Sequence, residues 1–246
     1  MAALLAQPAC DLDDLGELIE SDMSLASALL RTVNSSLFSL SGRVQTVREA
    51  ITYLGMREVS GLALQHGLRT AFPQAPELTL LWQRAAARGE LMGVLGHALG
   101  FDAWAAHSAG LFEECGKALL FRHSPARYRS LWAAEPTDDS ALSSLEQDAF
   151  GVSHDILGAA LCETWGLRPS AAHSVRHHVE FQATLVLPKP DSYRAVCALS
   201  VLAHRVMRLP ADTARCVDVL AKQLDLPPAQ VAAVIPAGNH RLGVQG

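Results

Sequence analysis

Histidines are the residues whose types and spacing most invite chemistry in this chain. His154 and Asp155 form a His-Asp dipeptide, and His173, His177 and His178 follow close behind. Imidazole and carboxylate together suit a divalent metal that activates water. His173 and His177 stand four residues apart, so they share a helix face, as paired zinc-binding histidines do. A residual metal or anion site built from His154, His177, His178 and Glu114 is one reading. The plainer reading is structural. Neighbours in one helix project about 100° apart, so adjacency alone does not make His154 and Asp155 a joint site. Ser153 or Asp155 then helps cap a helix. One of His177 and His178 packs inside against a carboxylate while the other faces solvent. Cys115 sits beside Glu114, which makes it a poor thiolate and a packed residue. Neither a Gly-x-x-x-x-Gly-Lys nor a Gly-x-Gly-x-x-Gly motif is present. Gly151-Val152-Ser153-His154 lacks the strand and second glycine of a nucleophile elbow.

The elements that must position these residues are helices. Leu12, Leu15, Leu18 and Ile19 recur at helical spacing, and Leu25, Leu29, Leu30 and Val33 form a second stripe, read as core. Ser21 or Asp22 can cap that second helix, and Ser41 or Thr46 a third over Val47–Leu54. Asn34-Ser35-Ser36 offers side-chain bonds that compete with the helix, and Gly55 is a plausible left-handed C-cap. Phe72-Pro73-Gln74-Ala75-Pro76 is the first strong break. Helices are then predicted over Thr79–Leu99, Ala103–Arg122, Pro125–Trp132, Ser140–Phe150, His154–Trp165, Ala171–Phe181, Ser192–Arg208, Ala211–Leu224 and Pro228–Val234. Alternating β-branched stretches are nearly absent. The expected organisation is an N-terminal helical subdomain (1–72), a helical core (78–210) and a C-terminal helical extension (211–246).

Hydrophobic residues make up 50 % of the 246 and charged residues 18 %, enough apolar material for a sizeable core. The net charge of -5 argues against non-specific nucleic-acid binding. Val47–Leu64 has a helix–turn–helix outline, but its second helix carries little positive charge for phosphate positioning. No apolar run reaches the roughly 18 residues of a membrane span, and the N-terminus lacks a secretory pattern. A cytoplasmic location without membrane contact is therefore expected. The five cysteines (Cys10, Cys115, Cys162, Cys197, Cys216) are scattered and form no C-x-x-C pair.

Residues 22–56 carry the most specific pattern: Asp22 to Arg31, Val33-Asn34-Ser35-Ser36-Leu37-Phe38, Val47-Arg48-Glu49-Ala50-Ile51 and Leu54-Gly55. Further along come Trp82, Gly110-Leu111-Phe112, Gly116, Glu146, Phe150-Gly151, His154, Gly158, Leu161, Trp165-Gly166-Leu167 with Pro169, and His177-His178. In this order the sequence resembles the HDOD domains, output domains related to the HD phosphohydrolases, over roughly residues 10–210. The resemblance implies an all-α, multi-helix, HD-domain-like bundle. It also places the superfamily's metal-ligand positions at Arg84, Glu113, Glu114 and His204, where a histidine, a His-Asp doublet and an aspartate would stand. A guanidinium cannot ligate a metal. Glu113, Glu114 and His204 retain donor atoms. The simplest expectation is an ion-pair network in which Arg84 replaces the metal's charge, with no metal and no cofactor. The expected function is then a non-catalytic signal-transduction module acting on an unidentified protein partner. The alternative is a divergent metal-dependent phosphohydrolase acting on a nucleotide or cyclic dinucleotide.

Overall fold

The computed structural model describes residues 12–21, 23–34, 44–70, 72, 75–133, 139–189 and 191–242. Among them every regular element is a helix. The chain divides into two compact units, Met1–Pro73 with Trp165–Leu167, and Gln74–Thr164 with Arg168–Gly246.

The first unit packs four helices against one another: α1 (Leu12–Glu20), α2 (Met23–Val33), α3 (Val47–Leu54) and α4 (Met56–Thr70). Leu15, Ile19, Leu25, Leu29 and Val33 are all buried, so the two apolar stripes are core. Thr46 caps α3 in a capping box: its hydroxyl accepts from the Glu49 amide, and Glu49 accepts from the Thr46 amide. The Asn34 side chain both donates to the Val44 carbonyl (2.6 Å) and accepts from the Val44 amide (3.2 Å), tying α2 to the start of α3. Asp22, Ser35, Ser36 and Ser41 lie outside the described residues. Gly55 ends α3 at φ 86°, ψ 157°, an extended positive-φ conformation and not the left-handed helical one expected. It is the single residue between α3 and α4.

The second unit contains α5 (Pro76–Ala98), α6 (Ala103–Phe112), α7 (Cys115–His123), α8 (Pro125–Ala133), α9 (Asp139–Phe150), α10 (His154–Thr164), α11 (Pro169–Thr184), α12 (Asp191–Arg208), a 3-10 turn (Pro210–Asp212), α13 (Thr213–Leu224) and α14 (Pro228–Leu242). Its core joins Leu91, Met92 and Leu95 of α5 to Ala106 and Ala109 of α6 and Val196, Leu199 and Leu202 of α12. The α13 and α14 helices add Cys216, Leu220 and Val231 to the same core. One structural correction bears on the site. The single helix predicted over Ala103–Arg122 is two helices, α6 and α7, broken at Glu113-Glu114. Two close crossings explain the break. A Cβ on Gly110 would lie 2.8 Å from the Gly89 backbone, so α6 rests directly on α5. A Cβ on Gly116 would lie 2.0 Å from the His154 carbonyl oxygen, so the first turn of α7 rests on the start of α10. The break falls between these two close contacts.

Candidate functional site

The joint between α6 and α7 carries Glu113 and Glu114, both buried. Arg88 reaches them from α5: Nη1 is 3.3 Å from Glu113 Oε1 and Nη2 is 2.7 Å from Glu114 Oε1. Lys117, one turn into α7, stands 3.9 Å from Glu114 and donates to Asp139 Oδ1 at 2.7 Å. Glu113 is also held from the far side. Gln182 Nε2 donates to its Oε1 (2.7 Å) and the Ser200 hydroxyl to its Oε2 (2.7 Å). Burial disfavours every charge here, yet the mutual pairing wins. It opposes the Arg88 charge, but Glu114 and Glu113 raise that guanidinium's pKa further. It pushes the Glu114 carboxyl up, but Arg88 and Lys117 hold it well below the usual range. Lys117 outweighs burial in the same way at Asp139.

A second buried cluster begins with Glu146 on α9. Its Oε2 accepts from the His154 backbone amide (2.8 Å), one of the free donors at the start of α10. The same oxygen lies 2.6 Å from His154 Nδ1, and Oε1 accepts from the Tyr128 hydroxyl at 2.5 Å. His154 Nε2 is 3.2 Å from His178 Nε2, and His178 Nδ1 is 2.8 Å from the Val175 carbonyl. A carbonyl only accepts, so His178 Nδ1 carries a proton. Burial lowers the His178 pKa, which leaves its Nε2 as a lone pair. His154 therefore donates from Nε2. A short hydrogen bond joins its Nδ1 to Glu146 Oε2. Every link from Tyr128 to Val175 is thus filled by one donor and one acceptor.

The structure distributes the sequence-derived candidates unevenly. It brings Glu113 and Glu114 together as expected, but the guanidinium between them belongs to Arg88 and not to Arg84. Arg84 lies one turn earlier on α5, half-buried, with Nε unpartnered, and influences Glu114 only at longer range. The Gly110–Gly89 crossing is the reason, since it sets the level at which α5 meets the end of α6. His204 is buried beside them with Nδ1 unpartnered, and burial followed by Arg88 lowers its pKa to about 4. His154 and His178 meet, but His177 does not join them. It is partly exposed, 3.5 Å from Glu180, stacks on Phe181 and meets the His173 ring at a tilt. Successive helix positions diverge, so only one member of the doublet reaches the interior. Asp155 accepts from Ser143 (3.1 Å) and pairs with Arg176 (3.4 Å), away from the His154 ring. Cys115 is buried, and burial raises its thiol pKa to about 12. Sequence reasoning overlooked Arg88, Lys117, Asp139, Gln182 and Ser200. The available signal was Arg88-Gly89 inside an Ala/Leu-rich helix: a charge next to a close-approach residue.

A family model for the HDOD domain matches residues 1–181. The chain belongs to the HDOD family. An uncharacterized protein of Treponema pallidum (strain Nichols) is 25 % identical over 207 residues, covering 83 % of this chain and 39 % of that one. The HDOD chain thus spans about two fifths of that relative's length. Among solved structures, an HDOD domain protein of unknown function from Geobacter sulfurreducens aligns at TM-score 0.64 with 18 % identity, covering 97 % of this chain and 89 % of the other. A Shewanella amazonensis SB2B protein with a provisional phosphohydrolase name aligns at 0.67 with 17 % identity, covering 99 % and 88 %. A Marinobacter aquaeolei VT8 protein with a provisional signal-transduction name aligns at 0.63 with 22 % identity, covering 98 % and 55 %. At these identities the structural likeness establishes the fold.

The divalent metal that the HD relationship implies does not fit the residues of this HDOD chain. Both Glu113 oxygens already accept hydrogen bonds, and Arg88 pairs with Glu114. A dication about 4 Å from the guanidinium would meet a repulsion of about 8 kcal/mol at an effective dielectric constant of about 20. The buried atoms around it that make no hydrogen bond include a donor, Arg88 Nε, as well as the acceptor Glu114 Oε2, while Arg88 Nη1 meets Glu113 only as an ion pair. A mixed set of that kind suits water better than a cation. Among the described residues no three His, Cys, Asp or Glu side chains group as metal ligands.

Proposed function

We propose that this HDOD chain is a non-catalytic regulatory module of bacterial signal transduction, acting in the cytoplasm through contacts with a protein partner. The observation that carries the reading is the Arg88 guanidinium paired with Glu113 and Glu114, where hydrolysis would need a metal-bound water. The signal-transduction name of the Marinobacter relative supports the setting. No helix among the described residues is long and apolar enough to cross a membrane, which is compatible with that location.

The test is elemental analysis of the purified chain, followed by hydrolysis assays with Mg²⁺, Mn²⁺ or Fe²⁺ added. Bis-p-nitrophenyl phosphate and a cyclic dinucleotide serve as substrates. The expected result is no stoichiometric metal and no turnover above buffer. One metal per chain, with turnover that disappears in Glu114→Gln, would overturn the reading in favour of a divergent phosphohydrolase.

A further inference from the structure

An open groove of about 630 Å³ lies between α9 and α11. Its α9 wall is Ser140, Ser143, Ser144 and Gln147, spaced i, i+3, i+4 and i+7, so one face of that helix is made of short polar side chains. Its α11 wall is Val179, Glu180, Ala183 and Thr184, on the same helix that sends His178 and Gln182 into the buried clusters. Most of this lining is exposed, so the groove is shallow. At Ser140, Val179 and Ala183 it meets a second cavity of about 340 Å³, to which Leu209 adds an apolar wall. Leu209 is a large apolar side chain left 41 % exposed there.

Charge along this surface is one-sided. Among the described residues the charged groups lining the groove are all acidic: Asp148, Asp155 and Glu180. Asp155 is held by Ser143 and Arg176, whereas Asp148 on α9 and Glu180 on α11 are exposed carboxylates on opposite walls. The adjoining cavity carries one charge of each sign, Asp139 and Arg205, so the surplus belongs to the groove. From Asp148 back to Ser140, where the apolar cavity begins, α9 rises about 12 Å. An extended chain covers that distance in about four residues. A small molecule binds where it is enclosed, which a shallow groove does not provide, but a chain segment can lie along it.

We propose that this groove docks an extended segment of a partner protein in which a lysine or arginine stands three or four residues from an aliphatic side chain. The basic group sits between Asp148 and Glu180, and the aliphatic group covers Val179, Ala183 and Leu209. The net charge of -5 on the chain also favours the approach of a basic segment. The inference rests on the protein-contact reading, and it gives that reading a surface and a partner chemistry.

The probe is the peptide acetyl-Gly-Arg-Ala-Ala-Leu-Gly-amide, titrated into the full chain at low salt and followed by amide NMR. Two control peptides replace its arginine by glutamate or its leucine by serine. The expected result is saturable shifts in α9 and α11, weakened about fivefold or more by either replacement. High salt should weaken binding too, because the paired charges are exposed. Asp148→Lys, at an exposed position, should weaken it about fivefold. Ala183→Trp, also exposed, fills the junction of the two cavities and should abolish it. The dispersed amide spectrum of each variant shows that it is folded. No saturable shift at about 10 mM peptide overturns the proposal. Shifts that map away from α9 and α11, equal binding of the arginine and glutamate peptides, or undiminished binding to a folded Ala183→Trp chain overturn it as well. Metal-dependent turnover would instead unseat the non-catalytic reading, and the peptide titration does not depend on it.

Discussion

Arg88, Lys117, Glu113, Glu114 and Asp139 balance fixed charges, whereas Tyr128, Glu146, His154 and His178 balance donors against acceptors. Both sets are withdrawn from water, and α9 contributes to both, with Asp139 in its first turn and Glu146 two turns later. In the first set two permanent cations face three carboxylates, so removing a cation strands buried negative charge. In the second set the links are hydrogen bonds between His154, Glu146 and their neighbours, so losing one leaves the others made. The charge cluster should therefore be the more brittle of the two, and the histidine chain the more tolerant.

Arg88→Met tests this most severely. It leaves Glu113 and Glu114 buried without their main cation, which should cost about 3–5 kcal/mol at pH 7. The sign with pH is specific. In the wild type Glu114 is held below its usual pKa, so it contributes stability above about pH 4.5 that is lost as pH falls further. In the variant burial is opposed chiefly by the more distant Lys117, and the Glu114 pKa rises relative to the wild type. The deficit should then be largest at pH 7 and shrink toward pH 5. Urea unfolding at both values reads it directly. Placing Arg88→Met in a Glu113→Gln/Glu114→Gln background should recover part of the loss, and an unchanged loss there would deny that charge is the cause.

Gly116→Ala strikes the backbone contact that serves both sets. The added methyl meets the His154 carbonyl oxygen, so α7 and α10 must separate. Overpacking of this kind should cost about 3 kcal/mol. Glu114 and His154 should both lose register, seen as reduced amide protection in α7 and α10 together. Protection lost in only one of these helices would separate the clusters mechanically.

How much of this was legible follows from the range of each interaction. The helices announce themselves through local periodicity, and the Thr46–Glu49 box needs only three residues of spacing. The all-α, HD-like bundle follows from those signals and from the spaced motifs. The break at Glu113-Glu114 does not, because nothing local stops a helix there. It results from Gly110 meeting α5 and Gly116 meeting α10, contacts between distant segments. The same limit produced the shift from Arg84 to Arg88. The two arginines share a face of α5, and only the crossing point decides which reaches the carboxylates. Lys117 and Asp139 are 22 residues apart, and their pairing has no signature in the sequence at all.

His204 offers a milder, pH-dependent comparison. Burial first and Arg88 second lower its pKa to about 4 from an ordinary 6.5. The folded chain therefore takes up its proton less readily than the unfolded chain. Its stabilising contribution is complete above about pH 6.5 and is lost as pH falls through 4. His204→Gln should flatten the stability profile across that window by about 2–3 kcal/mol. Thermal unfolding between pH 4 and 7.5 measures it. His107, also lowered to about 4 by burial, should keep a residual slope in the variant.

Tyr128→Phe probes the tolerant side and should show the smallest effect. The hydroxyl donates to Glu146 Oε1, while Glu146 Oε2 keeps the His154 amide and ring. Removing one donor to an acidic group costs about 1.5 kcal/mol. The ring's edge-on contacts with Phe121 and Trp132 remain to hold α8 in place. Burial and Glu146 together raise the tyrosine pKa far above its usual value, so the hydroxyl stays protonated at any working pH. The loss should accordingly be constant from pH 6 to 9. A loss that varies with pH in that range would mean that the cluster's charge changes when the tyrosine bond is cut. The histidine chain would then behave as a charge balance too, and the contrast with the charge cluster would fail.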